Sequence, residues 1–333
     1  MSQPVLSICI ATYNRADYIG ETLESIIPQL TDETELLVVD GASTDNTETV
    51  MKSYFERSAN LRYVRLPIKG GVDQDYDKAV GLARGAMCWL FTDDDLLKPG
   101  AVATVLAEIK KGYGLIIVNS EIRNKDLSEY IKPSRMRLSA DRIFAEHELD
   151  ELFRCVIPYL SFIGGVVCNR SLWLEREREP YYGTEFIHVG VIFQTPVRSG
   201  ALVIADPLIM IRFGNAQWSP RAFEIWMVKW PKLLCSFMHI SDESKRNYQT
   251  TPSLNLIRRL MVHRSQGTYS LKDYRIWYRG EAYRGLWKYL IWSAGWMPVW
   301  LAKCIVLTYV KIYGASEKFR NLIRQCCNRA INK

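Results

Sequence analysis

The sequence predicts an α/β fold: a largely parallel sheet flanked by helices, followed by a helical C-terminal extension that is basic and aromatic. Three observations predict it. The first 120 residues alternate short apolar runs with helical patterns, the signature of βαβ units. Each apolar run stops at a polar cluster. Composition then shifts: residues 254–333 carry 15 Lys plus Arg against 3 Asp plus Glu, net +12, whereas residues 1–253 carry 28 against 33, net −5.

The elements follow in order. Val5 to Ala11 (VLSICIA) reads as a strand, and Tyr18 to Leu30 repeats at helical spacing. Glu35 to Asp40 (ELLVVD) reads as the second strand, Thr47 to Ser58 as the second helix and Leu61 to Leu66 as the third strand. Asp75 to Arg84 is helical in pattern, and Met87 to Phe91 (MCWLF) is a strand ending at TDDD. Gly114 to Ser120, Phe162 to Asn169 and Leu202 to Ala205 complete the strands expected. The expected boundary assigns residues 1–220 to the α/β domain and 221–333 to the helical region.

With 333 residues, 48% hydrophobic and 24% charged, the chain can bury roughly three quarters of its unfolded surface, which excludes a disordered, collagenous or coiled-coil protein. The eight cysteines are scattered, with no CxxC pair, so neither a zinc site nor a disulfide framework is expected. MSQP runs directly into an apolar strand, without the features of a signal peptide, and the expected setting is intracellular and reduced.

Open α/β sheets bind ligands at the carboxyl ends of their strands. Three polar loops fall there: Thr12-Tyr13-Asn14-Arg15, Asp40 to Asp45 and Thr92-Asp93-Asp94-Asp95. Three consecutive carboxylates repel one another unless a cation neutralises them, and oxygen-only ligands suit magnesium or manganese. A solvated, helix-capping acidic turn is the alternative. Asp45 suits capping of the helix from Thr47, whereas Asp40 sits at the strand tip, facing the shared crevice.

The strings LSICIATYNRADYIGETLESI, ELLVVDGASTDNT and TDDDLLKPGA, in this order and spacing, resemble the family 2 glycosyltransferases. The likeness is strongest over residues 5–110, and GGVDQDYDKAVGLARGAMCWLFTDDD is most similar to bacterial O-antigen enzymes of the abequosyltransferase type. It implies a GT-A fold, a Rossmann-like nucleotide-binding mixed sheet flanked by helices. It implies that Thr12, Tyr13 and Arg15 line a nucleotide pocket, that Asp40 accepts a hydrogen bond from the base, and that Asp93 lies near the ribose. Asp94 or Asp95 would hold a Mn2+ or Mg2+ ion bridging the diphosphate. Lys78 and Arg84 fall where relatives contact the donor, and Asp73 and Asp75 are candidates for holding the transferred sugar.

Glycosyl transfer with inversion needs a base for the acceptor hydroxyl. Relatives often supply an acidic Glu-Asp pair; here the register holds Glu185 and His188, three apart, and either could serve. Ile211 to Ser219 resembles a segment that closes over the donor, without its usual histidine, and Arg212 could meet a phosphate there. The implied partners are a nucleotide-sugar donor of UDP, GDP, CDP or dTDP type and a lipid-linked saccharide acceptor. The rival readings are a nucleotidyltransferase, whose glycine-rich loop is missing, and a noncatalytic nucleotide-sugar-binding partner of an assembly complex.

Eight of the ten tryptophans follow residue 210, and residues 289–302 are uncharged. Trp292, Trp296 and Trp300, four apart, would share one helical face, a pattern suited to a membrane interface, with Lys318, Arg320, Arg324, Arg329 and Lys333 facing anionic headgroups. The expected location is peripheral, on the cytoplasmic face of the inner membrane. Packing on the catalytic domain or on a second copy, giving a homo-oligomer, is the alternative; no motif supports nucleic-acid binding.

Overall fold

The computed structural model describes residues 3–55, 58–280 and 285–313. Two compact units divide the chain: Met1–Asn215 with Ser236–Arg246, and Ala216–Cys235 with Asn247–Lys333. The expected boundary at 220 thus misses a return segment. Ser236–Arg246 joins the first unit because the Asp150 carboxylate accepts from the Ser241 amide (2.8 Å) and the Ser244 hydroxyl (2.7 Å), while Phe237 packs edge-on against Phe153.

In the first unit the strands are β1 (Leu6–Thr12), β2 (Thr34–Asp40), β3 (Leu61–Arg65), β4 (Met87–Phe91), β5 (Leu96–Leu97), β6 (Leu115–Arg123), β7 (Tyr130–Lys132), β8 (Arg142–Phe144), β9 (Val166–Asn169) and β10 (Ala201–Arg212). Its helices of six residues or more are α1 (Ala16–Ile26), α2 (Thr47–Phe55), α3 (Val72–Leu82), α4 (Ala101–Ile109), α5 (Leu149–Val156), α6 (Arg170–Glu175) and α7 (Ile187–Phe193). The strands form one mixed sheet in the order β3-β2-β1-β4-β9-β6-β10-β5. β3, β2, β1 and β4 run parallel, β9 is antiparallel to both β4 and β6, and β10 lies parallel to β6.

Every residue of β2 and β4 is buried, the pattern of strands covered on both faces. Ile8 and Ile10 of β1, Trp89 and Phe91 of β4, Ile19 and Leu23 of α1 and Val102 and Val105 of α4 share one core. Thr12 pairs with Asp40 across β1 and β2, and Ile10 with Phe91 across β1 and β4, so the three polar loops leave the sheet side by side. β10 runs well beyond the four residues read as strand, with the register slipping at Pro207, where an amide donor is lost.

The second unit is helical. Phe223, Met227, Leu260, Tyr269, Tyr274 and Ile291 form its core. Trp292, Trp296 and Trp300 do not share one helix face, which corrects the expectation from their spacing. The helix Leu286–Trp296 stops at Met297, extended before Pro298, and a second helix, Val299–Tyr313, carries Trp300. Trp292 and Trp296 stack at 6.4 Å, and all three tryptophans are exposed. Among the described residues no single helix is long and apolar enough to cross a membrane; this pair, bent by 112°, meets that length and composition together. The basic positions 318–333 lie outside the described residues.

Candidate active site

Loop chemistry builds one side of the crevice. Asp45 accepts from the Thr47 amide (2.9 Å) and from the Ala16 amide (3.1 Å), so one carboxylate caps α2 and ties it to the start of α1. Asn14, in the left-handed region at φ 53°, accepts the Thr44 amide at 2.7 Å and donates its own amide to the Ser43 hydroxyl at 2.9 Å. Asp40 is fully buried: Oδ1 accepts from the Ser43 amide (2.8 Å) and Oδ2 from the Tyr63 hydroxyl (2.6 Å). A base reaching Asp40 shares one of these oxygens. The Lys69 ammonium sits 3.4 Å from the centroid of the Tyr13 ring.

The acids after β4 divide into two kinds. Asp93 and Asp94 face Arg15, whose Nε lies 3.4 Å from Asp93 and whose Nη2 lies 3.2 Å from Asp94; Asn215 also donates to Asp94, at 2.8 Å. Burial, then the neighbouring Asp94 charge, push Asp93 up to about 7. Burial raises Asp94 as well, opposed by Arg15 and the Asn215 amide. Asp95 turns inward: Oδ1 accepts the Arg212 amide at 2.7 Å and Oδ2 the Thr92 hydroxyl at 2.5 Å.

Arg212 is committed to the protein. Its Nε donates to the Asp94 carbonyl (3.0 Å), Nη1 to the Lys125 carbonyl (2.6 Å) and Nη2 to Glu21 (2.6 Å). The fork expected to meet a phosphate instead braces the acid loop from behind.

Helix α3 reaches all sides of the crevice. Tyr76 donates to the Phe91 carbonyl at 2.7 Å, fixing the helix to the end of β4. Asp75 lies between Gly41 and Gly70, where a Cβ would come within 2.6 Å and 2.8 Å of its oxygens, and its Oδ1 has no hydrogen-bond partner. Burial pushes Asp75 up to about 6. Asp73 accepts from the Glu185 amide (2.8 Å) and the Ile187 amide (3.0 Å), capping α7, and burial pushes it also to about 6. Asp77 accepts from the Trp173 indole (2.9 Å) and the Tyr182 hydroxyl (2.5 Å). Lys78 is exposed on the same helix.

Glu185 is held half-buried in the left-handed region at φ 73°, a strained conformation for a side chain of this size. His188 is different. It is 1% exposed, its Nε2 bonds the Leu160 carbonyl at 2.7 Å, and burial lowers it to about 4. A sealed, neutral imidazole in the core cannot reach an acceptor hydroxyl, which corrects its candidacy as base. Asp73 and Asp75 likewise serve backbone and loop positions rather than opening to solvent. Tyr63, Lys69, Glu21 and Asn215 were absent from the sequence reading as individual site residues; only Asn215 carried a signal, inside the segment around Arg212.

Oxygen-only donors with raised proton affinity at a strand tip suit a hard divalent cation. Of the two candidate ligands Asp94 and Asp95, Asp94 could hold one, since both Asp95 oxygens are engaged. Among the described residues no group of three or more His, Cys, Asp or Glu could hold a metal ion.

A mixed sheet with buried acids at the carboxyl tip of its fourth strand, flanked by laced polar loops, is the architecture of a GT-A fold. The Glycosyl transferase family 2 model matches residues 7–164. It is 28% identical over 227 residues to the abequosyltransferase RfbV of Salmonella typhimurium, covering 63% of this chain and 67% of that protein. It is 32% identical over 123 residues to the chondroitin synthase of Escherichia coli, where the match spans 37% of this chain and 18% of the synthase. A glucosyltransferase of Campylobacter jejuni named for a diNAcBac-PP-undecaprenol substrate is 26% identical over 37% of this chain and 40% of its own length. In fold, S. aureus TarS 1-349 in complex with UDP superposes at a TM-score of 0.57 with 18% identity, covering 82% of this chain and 77% of that one. Its UDP-GlcNAc complex gives 0.53 at 17% identity, covering 87% and 79%.

Proposed function

We propose that the chain is an inverting, metal-dependent transferase that moves a sugar from a nucleotide-sugar donor to a lipid-linked saccharide in the assembly of an O-antigen-like surface polysaccharide. The observation that carries this reading is the Asp93–Asp94 pair: one buried and one half-buried carboxylate at the strand tip, held against Arg15 beside the Tyr13 and Asp40 loops. The names of the Salmonella and Campylobacter relatives support the acceptor class, and TarS with UDP and UDP-GlcNAc supports the donor class.

In this reading Thr12, Tyr13, Arg15 and Asp40 line the nucleotide pocket, Asp93 faces the ribose and Asp94 is the metal ligand. Asp95, with both oxygens engaged, is the brace of the loop and yields the ligand role to Asp94. When bound, Mn2+ or Mg2+ supplies positive charge at the departing diphosphate. Glu185 takes the proton of the acceptor hydroxyl, whose oxygen attacks the anomeric carbon opposite the nucleoside diphosphate. Asp73 holds Glu185 in place through its backbone amide. Residues 1–220 are the catalytic part in this account, and the exposed tryptophans of the second unit, with the basic end, hold the enzyme on the cytoplasmic face of the inner membrane.

A thermal-shift panel of UDP, GDP, CDP and dTDP, each with and without Mn2+, tests the reading. One nucleotide raising the melting temperature only with metal supports it and identifies the donor class. No shift with any of them refutes the pocket.

A further inference from the structure

A second group of residues faces the acids from across the sheet. β9 pairs with both β4 and β6: Cys168 sits opposite Cys88 and Leu115, and Val166 opposite Leu90 and Ile117. β6 therefore runs parallel to β4, and continuing this register brings Ser120 level with Asp93. The Arg135 amide donates to the Ser120 carbonyl at 2.8 Å. Fully buried Asn119 secures that loop, donating to the Ser134 hydroxyl (3.0 Å) and the Ala205 carbonyl (2.6 Å) and accepting the Met136 amide (3.0 Å).

The Arg135 guanidinium is built in yet chemically unspent. It lies 5.4 Å from the centroid of the Phe162 ring, and that ring is pressed on Gly164, where a Cβ would come within 2.4 Å of it. Among the described residues its one side-chain hydrogen bond is to the Ser161 hydroxyl at 3.5 Å, and no carboxylate lies within ion-pair distance. Burial lowers Arg135 to about 10, against the pull of the Asp95 charge. The Lys132 ammonium donates to the Arg135 backbone carbonyl at 2.8 Å, which brings a second cation to the same loop. Arg135 is half-buried, and a guanidinium drawn partly out of water without a carboxylate partner is open to an anionic ligand. Asp95 does not pair with it, since Thr92 and Arg212 occupy its oxygens.

We propose that Arg135, stacked on Phe162 with Lys132 alongside, is a phosphoryl-binding subsite on the far wall of the crevice, taking paired phosphate oxygens in its guanidinium fork. Under the proposed function those oxygens come from the phosphate of the lipid-linked acceptor; the donor diphosphate is the other source of the same chemistry.

Calorimetric titration of the full chain with Mg2+ distinguishes the sources. Inorganic pyrophosphate is titrated into enzyme saturated with the stabilising nucleoside diphosphate, and the nucleotide is titrated separately, for wild type, Arg135→Gln and Arg135→Lys. Because the side chain makes a single long hydrogen bond, both variants are expected to fold, checked by their melting temperatures. Loss of pyrophosphate affinity by about tenfold or more in Arg135→Gln, with nucleotide affinity unchanged and partial recovery in Arg135→Lys, supports an acceptor-side subsite. The same loss in nucleotide affinity supports a donor-side subsite. Unchanged affinities in Arg135→Gln, or no pyrophosphate binding and unaltered nucleotide binding throughout, overturn the proposal. Pyrophosphate binding is read without turnover, so it stands apart from failure of the transferase reading itself.

Discussion

Removing Arg15 exposes the electrostatic problem that the acid loop poses. At 3.4 Å from Asp93 and 3.2 Å from Asp94, and with all three side chains about seven-eighths buried, each pairing is worth about 5 kcal/mol in raw Coulomb energy at an effective dielectric of about 20. Desolvation offsets much of this, and breaking a buried pair from one side typically costs about 3–5 kcal/mol. Arg15→Ala is therefore expected to lose about 3 kcal/mol at pH 7.5 without metal, a fall in melting temperature of about 6–12 °C for a domain of this size. The loss should shrink toward pH 6, as Asp93, raised to about 7, takes up a proton and the repulsion eases. Millimolar Mn2+ should stabilise the variant more than the wild type, because Arg15 no longer competes for the carboxylates. Scanning calorimetry across pH and metal concentration reads all three effects. An unchanged melting temperature at pH 7.5 would refute the account of Arg15 as the internal counter-ion.

Four further outcomes are expected. Asp94→Asn should abolish transfer while the chain stays folded, whereas Asp95→Asn should lower stability by about 1–3 kcal/mol through its Thr92 and Arg212 bonds; equal effects in calorimetry and transfer assays would count against the division of roles. Glu185→Gln should cut turnover by about 10²–10⁴ without weakening nucleotide binding, and wild-type turnover would remove Glu185 as base. His188, lowered to about 4 against an ordinary 6.5, favours the folded state above pH 6.5, and that contribution, roughly 3 kcal/mol, is lost as pH falls toward 4; His188→Gln should flatten this part of the stability curve. Deleting residues 285–333 should release the protein from anionic liposomes in a sedimentation assay, and retained binding would exclude that end as the anchor.

The parallel half of the fold was readable because each of its strands is a short apolar run ended by polar residues, and β4 matches its expected bounds residue for residue. Helix α4, AVATVLAEI, escaped because its apolar residues fill nearly the whole surface and show little polar face. Proline misled in both directions: Pro207 hid the length of β10, and Pro298 broke a tryptophan spacing that looked like one helix. In the site, the loops were legible from residue type, but the roles within them were not. Nothing local distinguishes Asp94 from Asp95; the difference lies in Arg15, Asn215 and Arg212, up to 121 residues away. His188 reads as a base from its register and the ordinary pKa of an imidazole, while its burial depends on contacts such as Leu160.

Helix α3 behaves as a ruler for the crevice. Within five residues, Asp73 fixes the amide of Glu185, Asp75 fills the gap between the glycines of the donor loops, Tyr76 holds the end of β4 and Asp77 grips Trp173 and Tyr182. Loops more than a hundred residues apart in the chain are thereby indexed to successive positions on little more than one turn. A single inserted residue would rotate everything after it by about 100°. Substitutions could retune any one of these grips, but the spacing between these loops is graduated along this helix, and changing its length would have to move them all at once.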